Sequence, residues 1–214
     1  MRVGVLGGTF NPIHYGHLRA AEEAREAAGL DKVIFMPTFL TPHKADEVMT
    51  PAKVRCEMIR MAIADNKAFE LSDMEIKRGG VSYTIDTVKE LIKTGGTGTE
   101  VNLIVGADAF SDISSWCDFE ALFTLASFII VGRPGLPAKK PGDALPVELA
   151  GRFWYDAAIG AYMNYHGNSL VYVDGVPLDI SSSDIRRRAL AGYSIRYLVP
   201  DDVERYIRTA HLYR

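Results

Sequence analysis

The stretch Val3-Gly4-Val5-Leu6-Gly7-Gly8-Thr9-Phe10-Asn11-Pro12-Ile13-His14-Tyr15-Gly16-His17 decides how this chain reads. Val3 to Leu6 is short, apolar and β-rich, as a buried strand is. Gly7-Gly8 breaks the run. From Tyr15 to Ala28 Ala, Glu, Leu and Arg dominate, and Gly29 supplies a stop, which predicts a helix. The loop between has the makings of an anion site. Gly7 and Gly8 let backbone come close to a ligand. The helix N-terminus near Tyr15 offers unpaired N–H groups and a partial positive charge, for which phosphate is the natural occupant. His14 and His17 stand three apart, so both can face one side of the first turn. Each can donate an N–H to a phosphate oxygen and gains charge if protonated. The plainer alternatives are a tight turn with incidental histidines, or a His-x-x-His metal pair for which no third ligand is obvious. There is no GxGxxG and no GxxxxGK[ST], so neither a dinucleotide fingerprint nor a P-loop is present.

The same alternation of short apolar strands and amphipathic helices continues to the C-terminus. Strand-like runs fall at Lys32 to Met36, Phe69 to Asp73, Val101 to Val105, Phe128 to Val131, Leu170 to Val173 and Val176 to Ile180. Helices are predicted from Pro51 to about Ala64, over Thr84 to Lys93, as one or two pieces within Asp108 to Leu125, and at Ser182 to Ala191 and Pro200 to Thr209. Thr38 to Thr50 and the proline-rich Leu136 to Pro146 read as loops. Phe153 to Tyr165 is aromatic-rich and fits either a helix or a strand. The pattern predicts the α/β class, a doubly wound parallel sheet covered on both faces. Ligands in that class sit outside the carboxyl ends of the strands, near the switch point. One domain over residues 1–214 is expected, with a small helical part from about residue 182 to 214.

Composition narrows the partners. The 214 residues are 48% hydrophobic and 24% charged, which excludes a coiled coil, a collagen-like chain and wholesale disorder. A chain of this length buries about 70% of its unfolded surface, so a full core needs no staples. No apolar run approaches a membrane span, and no secretory leader pattern opens the sequence. Cys56 and Cys117 are the only cysteines, which leaves no disulfide framework and no CxxC site. Neither has an arguable His or Asn partner for nucleophilic work. The expectation is a cytoplasmic protein with reduced thiols. A net charge of −3 gives no reason to expect nucleic acid or an anionic membrane, although a small-anion pocket remains compatible with it.

Several further loops carry candidate chemistry. Ile180-Ser181-Ser182-Ser183-Asp184-Ile185-Arg186 follows a strand and opens a helix. Its serines can cap backbone N–H groups or donate hydroxyls to phosphate. Arg186, one turn in, can reach the same anion, although a capped helix with a solvated arginine face is the alternative. Successive helical residues point about 100° apart, so Arg186, Arg187 and Arg188 cannot all serve one site. His43 and Lys44 could bind a second phosphate, or Lys44 could simply be solvated. Thr84 suits an N-cap. Asp108, after Gly106-Ala107, suits a helix cap or a ribose hydroxyl. Trp116 offers a flat face for a pyridine ring or belongs to the core. Arg133 could clamp a phosphate or lie on the rim.

Gly-Gly-Thr-Phe-Asn-Pro-Ile-His-Tyr-Gly-His resembles the first motif of the nucleotidylyltransferase superfamily, His/Thr-x-Gly-His. Its Gly-Gly-Thr-Phe-(Asp/Asn)-Pro form is similar to that of the bacterial nicotinate-nucleotide adenylyltransferase family. Ile180 to Arg186 resembles the second motif, Ile-Ser-Ser-Thr/Ser-x-x-Arg. The resemblance runs from Val3 to Tyr213 and is weakest from Pro141 to Gly167. It implies a Rossmann-like nucleotidylyltransferase fold and adenylyl transfer from ATP to nicotinate mononucleotide, giving deamido-NAD and pyrophosphate. His14, His17 and Arg186 would be catalytic. Gly7, Gly8, Thr9, Phe10, Gly106, Asp108, Ser181, Ser182 and Ser183 would join them around ATP. Thr38, His43, Lys44, Thr84, Trp116, Cys117 and Arg133 would bind the mononucleotide. The family often has Asn at the place of Thr38 and Tyr at that of Cys117. Mg²⁺ would be held mainly through the ATP phosphates, with no dedicated metal residue. The implied partners are small molecules, with a homo-oligomer compatible.

Three kinds of rival stand beside this reading. One is an adenylyltransferase for nicotinamide mononucleotide or phosphopantetheine. Another is a non-catalytic nucleotide-binding protein that kept the pocket. The third is a class I aminoacyl-tRNA synthetase fragment, which lacks support because no Lys-Met-Ser-Lys-Ser-like loop is present.

Overall fold

The computed structural model describes residues 1–40, 49–132, 145–175 and 178–214. Strand β1 (Arg2–Gly8) leads through the Thr9-to-His14 loop into α1 (Tyr15–Ala28), which Gly29 ends in the left-handed conformation that favours glycine. β2 (Lys32–Pro37), α2 (Ala52–Ile63) and β3 (Phe69–Leu71) complete the first half. After the short α3 (Met74–Arg78) and α4 (Thr84–Thr94), β4 (Glu100–Gly106) opens the second half. α5 (Ala107–Ser111), a 3-10 turn, α6 (Phe119–Leu125) and β5 (Ser127–Val131) follow. Three further strands are β6 (Phe153–Asp156), β7 (Ala161–Asn164) and β8 (Ser169–Val173). Helices α7 (Ser182–Leu190) and α8 (Asp201–Thr209) end the chain.

The sheet order is β3-β2-β1-β4-β5-β8-β7-β6. The first six of these strands are parallel neighbours. Chain order reverses direction between β1 and β4, and that is the switch point where doubly wound sheets open a crevice. Alternate residues of the central strands feed two cores. Leu6 and Phe35 join Ala21 and Ala24 of α1, Met58 and Ile59 of α2, Ile185 of α7, and Val203 and Ile207 of α8. Val3, Val5 and Met36 join Val88 and Leu91 of α4, Phe110 of α5 and Phe123 of α6 on the opposite face. Each buried Val, Ile or Phe contributes about 1.5–3 kcal/mol. The C-terminal helices thus share the core of α1 and α2. Among the described residues no helix is long and apolar enough to cross a membrane.

The doubly wound, parallel-dominated sheet is the one expected, and the Phe153-to-Tyr165 segment, which fitted either a helix or a strand, forms the antiparallel β6–β7 hairpin at its far edge. Val176 to Ile180 is not a strand where it is described: residues 178–180 run unpaired into α7, with only an Ile180 N–H to Leu178 carbonyl bond of 2.9 Å. Both edges of β8 are already taken, by β5 and β7, so no ladder position remains there. Helix α3 was not foreseen, since five residues give too short a run for the 3.6-residue period to show.

Candidate active site

The first motif lies where β1 hands over to α1, beside the carboxyl end of β4. His14 is the N-cap residue of α1 and is buried, with an extended backbone at φ −149°. His17 occupies the third helical position. Its Nδ1 accepts the His14 backbone N–H at 3.3 Å, while the backbone N–H of His17 donates to the His14 carbonyl at 3.0 Å. The His17 ring thus takes the place of the Glu or Gln that reaches back to the N-cap N–H in a capping box. Because Nδ1 of His17 is an acceptor, its ring proton belongs on Nε2, the nitrogen on the other side of the ring. The two rings stack, with centroids 3.7 Å apart and planes at 25°.

Two neighbours fix that pair. Phe10, buried, presses its ring against His17 with centroids 5.0 Å apart. It does so from a left-handed backbone at φ 49°, uncommon for a bulky residue and the kind of local strain that surrounding contacts must hold. Gly16 supplies the second constraint. A Cβ there would stand 3.0 Å from both Cε1 and Nδ1 of His14 and 3.7 Å from the Ile180 carbonyl. The glycine of His-x-Gly-His is therefore the space in which the His14 ring lies. Gly16→Ala should displace that ring by a few tenths of an ångström or more. kcat/KM should fall about 10- to 100-fold while the melting temperature changes little. Steady-state kinetics with a thermal melt check this, and unchanged kinetics would show that the ring tolerates displacement.

The second motif is tied directly onto the first. Ser181 caps α7 through Oγ, which accepts the Asp184 N–H at 3.2 Å, and it lies 3.2 Å from the Ser183 hydroxyl. Ser182 donates its hydroxyl to the Pro12 carbonyl at 2.8 Å, and Arg186 donates Nη1 to the Asn11 carbonyl at 2.9 Å. Ser182 thus has a positioning partner, and Ser181 and Ser183 remain at the exposed end of the helix. The geometry also separates the three arginines. Arg187 and Arg188 both pair with Asp184 on the exposed side of α7, which holds the Asp184 carboxyl below its ordinary range. Arg186 alone turns inward.

Among the described residues Gly7 meets no atom within 4 Å of where a Cβ would be, so these leave open space over the end of β1. Thr9 is half-buried next to it. Across the switch point, Gly106 is the N-cap of α5 and Asp108 is exposed in its first turn. On the other flank, Thr38 leaves β2 with its N–H on the Gly8 carbonyl at 3.0 Å. The next residues are joined to the loop before α4. Leu40 pairs with Val81, the Ser82 N–H donates to the Leu40 carbonyl at 3.0 Å, and Thr84 opens α4, half-buried. Trp116 follows the 3-10 turn and is half-buried against the core under α4 to α6. Cys117 beside it is exposed, whereas Cys56 is buried, and burial pushes its thiol up. His43, Lys44 and Arg133 lie outside the described residues.

Three further residues belong to this region. Arg55 of α2 is 1% exposed and donates Nη1 to the Thr9 carbonyl at 2.7 Å, Nη2 to the Thr38 carbonyl at 2.7 Å and Nε to the Thr50 carbonyl at 3.0 Å. Burial draws its guanidinium below the ordinary value, but it remains a cation. Tyr213 donates its phenol to Asn11 Oδ1 at 2.8 Å, and burial pushes the phenol up to about 12. Glu75 of α3 is buried beneath the Ser82 loop and accepts Thr87 Oγ1 at 2.6 Å. Arg55 left a trace in the sequence, a lone charge on the face of α2 that also carries Met58, Ile59 and Ala62. Tyr213 and Glu75 left none, because their partners lie on other elements.

Burial raises the Glu75 pKa above its ordinary value. The folded state therefore binds this proton more tightly than the unfolded chain, and stability falls as pH rises from the ordinary carboxyl range through the raised value. Glu75→Gln removes that dependence. The melting temperature of the variant relative to the parent should thus be higher at pH 8 than at pH 5. A difference independent of pH would show that Glu75 is already ionised without cost.

Comparison with known proteins agrees with this geometry. The cytidylyltransferase-like family matches residues 5–188. Proteins named "Probable nicotinate-nucleotide adenylyltransferase" from Geobacter metallireducens and Citrifermentans bemidjiense are 49% and 50% identical over all of this chain and 98% of their own. Among solved structures, Plasmodium falciparum nicotinic acid mononucleotide adenylyltransferase complexed with NaAD shares the fold, with a TM-score of 0.73 at 20% identity over 99% of this chain and 97% of that one. The chain belongs to the cytidylyltransferase-like family and, within it, to the nicotinate-nucleotide adenylyltransferases.

Proposed function

We propose that the protein transfers the adenylyl group of ATP to nicotinate mononucleotide, releasing pyrophosphate and giving deamido-NAD for NAD biosynthesis, a reaction of the cytoplasm. The observation that carries this is the meeting of both motifs, His14-Tyr15-Gly16-His17 and Ser181 to Arg186, at the β1/β4 switch point of a chain about half identical to its relatives throughout.

The chemistry needs little from the protein beyond placement. A phosphate monoester has a second pKa of about 6, so the acceptor oxygen is anionic at neutral pH and needs no general base. That oxygen forms a bond to the α-phosphorus while the bond from it to the bridging oxygen of pyrophosphate breaks. The demand is to bring anions together and to stabilise the charge that builds on the α-phosphate and the leaving group. His17, with its proton on Nε2, is assigned to the α-phosphate, and His14 stacks beside it at the helix N-terminus. Arg186, with Ser181 and Ser183, is assigned to the β/γ end. Gly7, Gly8, Thr9 and Phe10 shape the floor, and Gly106 and Asp108 face the ribose. Thr38, Thr84, Trp116 and Cys117 are assigned to the mononucleotide, and the family resemblance assigns His43, Lys44 and Arg133 to the same substrate. Mg²⁺, bound through the ATP phosphate oxygens, would supply further charge neutralisation. Among the described residues no three His, Cys, Asp or Glu side chains converge on a point.

The test mixes protein, ATP and Mg²⁺ with nicotinate mononucleotide, its amide or 4′-phosphopantetheine, and follows pyrophosphate and dinucleotide by chromatography. Turnover should be fastest with the acid. A preference for another acceptor would move the substrate assignment, and ATP binding without pyrophosphate release would make the protein a non-catalytic binder.

A further inference from the structure

We infer that Arg55 is a positioning residue that locks the ATP-binding loop and the acceptor-binding loop into one register, an inference that rests on the two-substrate reading above. Its three donors reach three separate segments: Thr9 in the first motif, Thr38 at the head of the acceptor loop and Thr50 at its far end. The parallel β1–β2 ladder runs as far as the Gly8–Pro37 pair. Just past it the Thr38 N–H still reaches the Gly8 carbonyl at 3.0 Å. Arg55 bridges the very next carbonyl on each side, Thr9 and Thr38, and so extends the clamp one step past the end of the sheet.

Core packing does not call for a charge here. α2 presents Met58, Ile59, Ala62 and Ile63 on its buried side, and an apolar residue would fill the place of Arg55 without burying a cation. Among the described residues no carboxylate lies within ion-pair distance of it, so its partners are carbonyls alone. A planar guanidinium fixes the angles between its bonds, which a single ammonium cannot do. The C-terminal Tyr213 closes the same region, with its phenol on Asn11. Arg55 adds to the Thr38 N–H bond on the Gly8 carbonyl a rigid side-chain bridge that places the Thr9 and Thr38 carbonyls relative to one another, on two loops that, on the reading above, carry the two reacting substrates.

That role separates rate from binding. Each loop still holds its own ligand when the bridge is lost, but the attacking oxygen and the α-phosphorus no longer meet in line. Arg55→Lys is the first variant and Arg55→Gln the second, in case one of them melts below assay temperature. Each is measured for folded fraction by circular dichroism, for affinity by calorimetry and for kcat. The calorimetric probes are α,β-methylene-ATP and the mononucleotide, titrated separately. The expected result is kcat per folded molecule reduced about 10²-fold, with each separate Kd within about threefold of the parent. A kcat per folded molecule within threefold of the parent would overturn the inference, as would a loss carried entirely by the two Kd values. If the parent prefers another acceptor, the substrate reading fails but the Arg55 test proceeds unchanged with that acceptor. A parent that turns over none of them overturns both.

Discussion

His17→Ala lowers kcat by about 10²- to 10³-fold, the usual cost of removing one donor aimed at developing charge. It also lowers stability by about 1 kcal/mol, because the ring caps the start of α1 and its loss leaves the His14 N–H without its acceptor. Those two losses have different chemical causes, and a second substitution separates them. Glutamine at the third helical position is a standard capping-box residue. Its carbonyl can take the His14 N–H much as Nδ1 does now. His17→Gln should therefore recover the melting temperature of the parent while leaving kcat close to that of the alanine variant, because the rigid Nε2–H and its support against Phe10 are gone. Differential scanning calorimetry and pyrophosphate release on the same samples make the comparison. Full activity in either variant would remove His17 from the chemistry and leave it as a helix cap.

How much of this was legible in the sequence varies by element. The strand, Gly-Gly, helix succession at Val3 to Ala28 was readable because each piece has its own local signature, and the helix bounds match those predicted. So was the parallel order of most of the sheet, which follows from alternation alone. The β6–β7 hairpin was not readable. Its residues are aromatic on both faces, with Trp154 and Tyr155 exposed, so neither the two-residue nor the 3.6-residue period stood out. Leu178 to Ile180, the described end of the segment expected as a strand, departs for the opposite reason: its composition suits a strand, but pairing depends on a free edge, and β8 has none.

Within the site, the histidines, serines and Arg186 were visible because they cluster in two loops. The residues that hold those loops were not. Arg55 acts on carbonyls 46, 17 and 5 positions away in sequence. Backbone carbonyls carry no residue identity, so nothing at Thr9, Thr38 or Thr50 announces that an arginine lies beneath them. Tyr213 reaches Asn11 across 202 positions. Local sequence thus reveals the groups that would touch a substrate more readily than the groups that fix their places.

Three consecutive arginines give the second large effect its internal control. Arg186→Met should reduce kcat/KM by about 10²- to 10³-fold, with the KM for ATP raised, because it removes a cation at the β/γ end of the nucleotide. It also frees the buried Asn11 carbonyl, at a cost of about 1–3 kcal/mol, and loosens the joint between the two motifs. Arg186→Lys keeps the charge but not the fork, so it should recover only part of the rate, about tenfold. Arg187→Ala and Arg188→Ala remove equal charge from adjacent positions. Their guanidinium groups pair with Asp184 on the exposed face of α7, so each should change kcat/KM less than about twofold. Electrostatic attraction of ATP to a generally basic helix would make the three substitutions alike, and the difference would shrink at high salt. A site built at Arg186 makes them differ by two orders of magnitude at any ionic strength, because a desolvated bond to phosphate is screened far less than an exposed charge. Kinetics of the four variants at 50 mM and 500 mM salt decide between these pictures, and equal losses at all three positions would return Arg186 to the solvated face of the helix.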